Sequence, residues 1–256
     1  MTRQKGRDYL LSAVSMLLVL GVWEGGVRLF RLPIHLVPSP AQVLAAAIEH
    51  WPSLLGQSVW TIMAMLAGFL TAIIVAIPLA MLIVVSPVME RLIYPPMVAT
   101  QSIPKIALAP LFIVWFGFGL TPKVAVAFLI AFFPVVVDTI VGLRSIDPAM
   151  IQLARSMGAP PHRIFLKLRF PNALPSVFGG LKVASALAVV GTLTGEFIGS
   201  DRGLGYLLLQ ATGMLQTPLL FATLVTLSLL AMAFFFLVEG VERLLIPWHV
   251  SQRNQR

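Results

Sequence analysis

Six long apolar stretches, separated by shorter polar connections, dominate the pattern along this chain. They cover approximately residues 9–30, 57–85, 93–116, 123–142, 177–199 and 217–246. An α-helix needs about 20 consecutive apolar residues to cross the hydrocarbon core of a bilayer. The pattern therefore predicts an all-α integral membrane protein with six transmembrane helices. The second and sixth stretches exceed the minimum length, so these helices are expected to tilt or to extend beyond the bilayer.

The composition agrees with a membrane protein. Of the 256 residues, 58% are hydrophobic and 11% are charged, whereas a soluble domain has roughly 25% charged residues. No internal repeat or linker divides the sequence, so we expect a single transmembrane domain over residues 1–256. There is no Cys, and the four His residues are far apart. We therefore expect no metal site.

The N-terminus begins with three cations followed by an apolar run, as a secretory signal peptide does. No small-residue cleavage site follows this run before Trp23 and Glu24. The pattern therefore predicts an uncleaved first helix.

The distribution of Lys and Arg among the connections predicts the orientation. With the N-terminus in the cytoplasm, the cytoplasmic side receives Arg3, Lys5, Arg7, Arg91, Arg144, Arg155, Arg163, Lys167, Arg169, Arg243, Arg253 and Arg256. The outside receives Arg28, Arg31, Lys123 and Arg202. This asymmetry of about three to one follows the positive-inside rule, so both termini are expected in the cytoplasm and the protein in the cell (inner) membrane. The net charge of +8 is then explained by topology and by membrane lipid, without a nucleic-acid partner.

Two connections show local helix signals. In the first external connection, Ser39 is a suitable N-cap and Pro40 a suitable first helical residue, which predicts a short helix at the outer surface. The connection over residues 143–176 is longer and carries a net positive charge. Asp147 and the following proline open a helix there, with apolar residues at helical spacing, and Gly158 is a suitable left-handed C-cap.

A second short helix is expected after Gly158, beginning at the Pro160-Pro161 pair and ended by Pro171. Each of the two helices is too short to span a membrane. The pair therefore forms a cytoplasmic helix–Gly–helix loop. It either lies on lipid headgroups or docks its apolar face into a groove of a partner protein.

This loop resembles the EAA signature of ABC importer permeases, which reads Glu-Ala-Ala, three residues, Gly, nine residues, Ile, one residue, Leu-Pro. Residues 152–158 read Gln-Leu-Ala-Arg-Ser-Met-Gly, and after nine further residues 168–171 read Leu-Arg-Phe-Pro. Ala154, Gly158 and Pro171 match the signature at the correct spacing. The departures keep similar size or polarity: Gln152 replaces Glu, Leu153 replaces Ala, Leu168 replaces Ile and Phe170 replaces Leu.

The resemblance extends over nearly the whole chain, in the order of the permeases of the nitrate/sulfonate/taurine type. Residues 102–111 and 115–117 are similar to their third helix. Residues 195–199 and 203–206 are similar to the end of their fifth helix, and the Pro-Trp-His of residues 247–249 to their C-terminus.

The family resemblance implies partners and a mechanism. Two permease chains, here a homodimer or a heterodimer with a related permease, enclose a pathway for a small solute. Two copies of an ABC ATPase bind ATP and Mg and move the EAA loops, and an extracytoplasmic solute-binding protein delivers the solute. Coupling to the ATPase is then expected at Gln152, Ala154, Gly158 and Pro171. Family-level solutes are nitrate, sulfonates and taurine, and alternatively thiamine-precursor pyrimidines or other aromatic compounds.

The chain itself is not expected to be an enzyme. It has no Gly-x-x-x-x-Gly-Lys-Ser/Thr phosphate-binding loop, so ATP hydrolysis is assigned to a separate subunit. An ATP-independent secondary transporter is the distant alternative, but the sequence shows neither inverted repeats nor abundant midspan charge. A membrane anchor without transport activity would not need the proline-interrupted third stretch.

Ionisable residues inside apolar spans are costly and therefore indicate function or pairing. We expect Asp138, near the inner end of the fourth helix, to pair with Lys182, near the inner start of the fifth. Lys105 lies in a proline-interrupted segment and either attracts an anionic solute or anchors the segment near the cytoplasmic surface.

Glu196 lies close to the outer end of the fifth helix, beside Gly203 and Gly205. This group either forms part of a gate or pathway, or caps the interface. Small residues recur on the same helix and predict a tight helix–helix contact, within the chain or across the permease pair. Three of them lie four apart and two lie beyond: Gly180, Ala184 and Ala188, then Gly191 and Gly195.

Overall fold

The computed structural model describes residues 2–247, with the backbone alone for residues 2–10, 12 and 13. The last two residues of the Pro-Trp-His resemblance, at positions 248 and 249, and the cations at positions 253 and 256 lie outside the described residues. The described part is helical and contains no strand. Its α-helices are α1 (Thr2–Leu29), α2 (Pro40–Glu49), α3 (Trp51–Val85), α4 (Pro87–Ala99), α5 (Ala109–Phe116), α6 (Leu120–Arg144), α7 (Pro148–Ser156), α8 (Pro161–Ile164), α9 (Phe170–Gly199), α10 (Leu204–Gly213) and α11 (Thr217–Leu245).

Six apolar helical segments are present, as the sequence predicts. Among the described residues, α3, α6, α11 and the continuous stretch Pro161–Gly199 are each long and apolar enough to cross a membrane. A fifth span consists of two halves, Pro87–Ser102 and Lys105–Phe116, that meet at an angle of 90°. The sixth segment is α1, which has 28 residues.

The break in the fifth span follows from its prolines. A residue that precedes proline is disfavoured in the α region, and Ile103, which precedes Pro104, has an extended backbone with ψ of 126°. Pro104 is extended as well. Two short 3-10 helices, Thr100–Ser102 and Lys105–Leu108, flank this break. The sequence predicted an interrupted segment here, and the structure shows that the interruption is a right-angle turn.

The short helix on the first long connection is confirmed. Ser39 is the N-cap of α2 and Pro40 its first residue. The cap is reciprocal, because the Ser39 hydroxyl accepts from the Gln42 backbone N–H and the Gln42 side chain accepts from the Ser39 N–H. On its inner face, Val43 and Ala46 pack against Ala222 of α11.

The helix–Gly–helix loop is confirmed in its first half and corrected in its second. Asp147 caps α7, accepting a 2.8 Å hydrogen bond from the Ala149 N–H. Gly158 has φ of +79°, the left-handed conformation that glycine adopts at little cost. The expectation that Pro171 ends the second short helix is wrong, since a π-helical turn (Phe165–Arg169) joins α8 to α9 without a break.

The π turn explains how the helix passes through a proline. The Phe170 N–H donates to the Phe165 carbonyl, one residue further back than in an α-helix. The hydrogen-bond register therefore changes just before Pro171. As a residue of the first turn of α9, Pro171 needs no N–H partner inside the helix.

The core of the molecule is the contact between α6 and α9, and α3 packs against both. Ala184 and Ala188 of α9 are fully buried. A Cβ atom added to Gly191 would lie 2.7 Å from the Cα of Ala127, and one added to Gly195 would lie 2.8 Å from the Cα of Lys123. The predicted tight contact of the small residues is therefore confirmed. Its partner is α6 of the same chain, so its suggested place across the permease pair is wrong for these residues.

Replacing Gly191 by alanine tests this close approach. Gly191→Ala forces two backbones apart, and we expect a loss of about 1–3 kcal/mol in stability, measured as a lower Tm of the detergent-purified protein. Gly179→Ala, on the same helix, is the matched control, because its added Cβ meets no atom within 4 Å. Alanine is the better helix former, so this control should stabilise slightly. Equal Tm values for the two variants would contradict the proposed packing.

Candidate translocation and coupling sites

The first candidate site is the exposed apolar face of α7, at the end of the spans where α6 finishes and α9 begins. Met150, Leu153 and Met157 are 51%, 63% and 79% exposed. They follow one another at spacings of three and four residues, so they share one side of the helix. Of the signature residues on α7, Gln152 is exposed and Ala154 is half-buried. The chain provides no cover for this apolar face in the part that the structure describes.

Gly158 and Pro171 define the ends of this site. The Gly158 N–H donates to the Arg155 carbonyl at 2.9 Å, and the Ala159 N–H donates to the Ala154 carbonyl at 3.0 Å, which closes the C-terminus of α7. Pro171 lies in the first turn of α9, half-buried, beyond the π turn. The second half of the loop is therefore continuous with a membrane-spanning helix, whereas the left-handed turn at Gly158 separates α7 from it.

The second candidate site is Lys105, at the right-angle break of the fifth span. Its ammonium group lies 5.2 Å from the ring centroid of Phe133, a cation–π contact worth about 0.5–2 kcal/mol. Phe133 is close to the middle of α6, about 20 Å from its start and about 17 Å from its end at 1.5 Å per residue. Lys105 therefore lies near mid-height of the bundle rather than at a surface. It remains half-exposed and makes no ion pair among the described residues.

The third candidate site is the cluster around Glu196, at the opposite end of the bundle from α7. The Glu196 carboxylate is 1% exposed. It accepts hydrogen bonds from the Thr61 hydroxyl at 2.8 Å and from the Gly205 N–H at 2.7 Å. The Thr61 hydroxyl also accepts from the Leu204 N–H at 2.8 Å. The carboxylate and the hydroxyl together satisfy two of the free N–H groups at the start of α10.

Gly203 allows this cap to form. Its φ is +116°, and a Cβ atom there would collide with the Glu196 carboxylate. Its N–H donates to the side-chain oxygen of Gln57 at 2.7 Å. Of the two alternatives for Glu196, Gly203 and Gly205, the structure favours the cap, because all three are enclosed and none presents an open surface.

The sequence missed Lys123 as a member of this cluster. It was assigned to the outside as an ordinary loop cation, but its side chain is 3% exposed and donates to the Arg202 carbonyl at 2.8 Å. Arg202 itself lies over the ring of Trp60, with 4.7 Å between the guanidinium carbon and the ring centroid. Gln57 and Thr61 were missed too, since uncharged polar residues in a long apolar helix carry no distinctive signal.

The predicted pair of Asp138 and Lys182 is wrong. Lys182 pairs instead with Glu242 of α11, with 2.8 Å between the ammonium nitrogen and the carboxylate oxygen, and both side chains are largely buried. Asp138 lies on the face of α6 that contacts Gly180 of α9. The geometric reason is that Lys182 follows Gly180 by 200° around the helix and so points to the other side of α9, toward α11. The sequence did offer a signal for this pairing, because Glu242 is an acidic residue inside the last apolar stretch and therefore needs a partner.

The described residues contain no group of His, Asp and Glu side chains that could hold a metal ion. The charged groups described above each lie beside an aromatic ring, a hydrogen-bonding partner or an opposite charge, or, for Asp138, beside a glycine.

Comparison with known proteins identifies the class. Residues 68–248 match the family described as the binding-protein-dependent transport system inner membrane component, and the chain belongs to this family. It is therefore the permease subunit of an ABC importer, and a multi-pass membrane protein. A solved structure of the MetNI methionine ABC transporter has the same fold, with a TM-score of 0.64 over 74% of this chain and 95% of that chain, at 23% identity.

Curated relatives are permeases of several transport systems. The formylaminopyrimidine transport permease protein ThiX of Halalkalibacterium halodurans is 37% identical over 92% of this chain and 94% of its own. The riboflavin transport system permease protein RibX of Chloroflexus aurantiacus is 39% identical over 93% of this chain and 90% of its own. The taurine transport system permease protein TauC of Escherichia coli is 27% identical over 95% and 91%.

Proposed function

We propose that two copies of this chain form a solute pathway that two ATPase subunits open and close. The ATPase subunits bind ATP and Mg, and a solute-binding protein delivers the solute from the opposite side of the membrane. The observation that carries this proposal is the uncovered apolar face of α7, which needs a partner. Family membership supports an ATPase as that partner.

The charge at the α7 end supports its cytoplasmic location. Cations are concentrated on the segments that meet there, namely Arg91, Arg144, Arg155, Arg163, Lys167, Arg169 and Arg243. Lys and Arg are enriched on the cytoplasmic side of membrane proteins. An ATPase that uses cytoplasmic ATP can reach α7 only from this side, so the charge pattern and the proposed docking are consistent.

For the solute, we propose a planar nitrogen heterocycle of the pyrimidine or flavin type. The relatives that are 37% and 39% identical are named for a formylaminopyrimidine and for riboflavin, whereas the taurine permease is 27% identical. The aromatic ring of Phe133 beside the Lys105 ammonium group suits such a solute, since the ring stacks on its π face and the cation attracts its carbonyl oxygens. An anion such as nitrate, a sulfonate or taurine is the second candidate, and the unpaired charge of Lys105 favours it.

Polar substitutions on the face of α7 test the docking proposal. Leu153→Ser combined with Met157→Ser removes the apolar contact, so we expect the chain to lose most of its co-purifying ATPase, at least about tenfold. The fold should remain intact because both side chains are exposed. Leu44→Ser is the matched control, since Leu44 on α2 has the same 63% exposure as Leu153. Undiminished ATPase recovery with the double variant would refute the assignment of α7.

Transport competition tests the solute. The permease should be purified with its partner proteins from the native host and reconstituted in liposomes loaded with ATP. We expect uptake of labelled riboflavin or labelled formylaminopyrimidine. The unlabelled form of the other heterocycle should compete with this uptake, whereas taurine and nitrate should not. Lys105→Met should lower this uptake roughly tenfold while the ATPase still co-purifies. Uptake of taurine in preference to either heterocycle would establish the second candidate instead.

A further inference from the structure

A groove with both apolar and cationic walls lies beside α7, at the boundary of the transmembrane region. It consists of two adjoining cavities of about 560 and 350 Å³ that share Ile151, Arg155 and Arg169 as lining residues. The wall of the larger cavity includes Val84 and Val85, the last two residues of α3. The smaller one ends at Arg144, the last residue of α6. We call this feature the α7 groove.

The charges along the α7 groove have one sign. Arg155, Arg169 and His162 line the larger cavity, and no Asp or Glu side chain lines either cavity. Arg144 is already paired with Glu90 at 2.8 Å. Arg155 and Arg169 form no ion pair with any residue that the structure describes. The groove therefore has two free guanidinium groups, which prefer phosphate or carboxylate oxygens as partners.

The apolar side chains of the groove restrict the chemistry of a ligand whose phosphate or carboxylate binds the two guanidinium groups. Val84, Val85, Phe165 and Leu166 face the larger cavity, and Val85 and Leu166 are 63% and 61% exposed. Val85 is the last residue of α3, and Leu166 lies near the start of the span Pro161–Gly199, so this wall stands at the ends of two membrane-spanning helices. A ligand that fills the groove thus needs an acidic head and a hydrocarbon tail.

The apolar residues of the proposed ATPase docking face, Met150, Leu153 and Met157, do not line the groove, although Gln152 of the predicted coupling residues lines the smaller cavity. Ile151 and Arg155 are four residues apart and lie on one side of α7, toward the groove. Leu153 is two residues from each, which corresponds to about 200° around the helix. A partner on Leu153 and Met157 therefore leaves the groove open to the membrane.

We propose that the α7 groove binds an anionic phospholipid. Its phosphate lies between Arg155 and Arg169, and an acyl chain lies along Val85 and Leu166. Basic pockets between transmembrane helices at the cytoplasmic surface bind acidic lipid headgroups in this way. The bound headgroup ties α7 to the first turns of α9 and so fixes the position of the docking face relative to the bundle.

Lipid titration of the detergent-purified full chain tests this site. Native mass spectrometry compares dioleoylphosphatidylglycerol with the zwitterionic dioleoylphosphatidylcholine. Phosphatidylglycerol is expected to bind at least about tenfold more tightly. The variant Arg155→Gln/Arg169→Gln should lose roughly tenfold or more of that affinity. Binding of the two lipids with equal affinity would overturn the proposal.

The control variant removes the same charge from the same segment. Arg163→Gln/Lys167→Gln alters two exposed cations that do not line the groove, and its phosphatidylglycerol affinity should stay within about twofold of the unmodified chain. An equal loss in this control would show nonspecific attraction and overturn the site. Displacement of the lipid by millimolar inorganic phosphate would also overturn it, because the groove would then be a simple anion site. If the double variant aggregates on gel filtration, Arg155→Gln alone should still lower affinity about fivefold, and an unchanged affinity would count against the site.

Discussion

The close approach of α6 and α9 is the contact on which the rest of the bundle depends. Glycine and alanine at the contact bring the two backbones to a distance that no larger side chain permits, as the position of Gly191 against Ala127 shows. In a lipid environment the hydrophobic effect does not drive helices together, so such close packing supplies much of the association energy. α3 packs against both of these helices, and its Gly68 lies against the same Ala127, so the three helices form one core that positions the candidate sites.

The charged and polar groups of the bundle are arranged around this core. Glu196 and Lys123 stand at one end of the α6–α9 contact and fix the start of α10. Lys182 points away from the contact to Glu242 of α11. The cost of an unpaired charge inside a membrane explains why these groups are satisfied. Lys105, at mid-height beside an aromatic ring, and Asp138, beside Gly180, form no ion pair among the described residues. The position of Lys105 suits contact with a passing solute.

Local features of the structure could be predicted from the sequence, whereas long-range contacts could not. The apolar spans, the caps at Ser39 and Asp147 and the left-handed Gly158 depend on neighbouring residues. The structure confirms both caps, the glycine and five of the six predicted spans, one of them bent, and α1 lies at the place of the sixth. The Glu196 cluster joins three segments far apart in the chain, and the partner of Lys182 is 60 residues away. Hydrophobic patterns indicate which face of a helix is buried but not which helix covers it. The EAA signature is local and so could be recognised in the sequence of the loop around α7, whereas the π turn before Pro171 has no such signature.

We infer that this permease moves solute only when an ATPase partner hydrolyses ATP. Solute uptake by liposomes that contain the complex purified from the native host, with ATP or a non-hydrolysable analogue enclosed, measures this directly. We expect accumulation with ATP, none with the analogue, and none when the chain is reconstituted alone. Uptake by the chain alone, without ATP, would contradict it and indicate a secondary transporter.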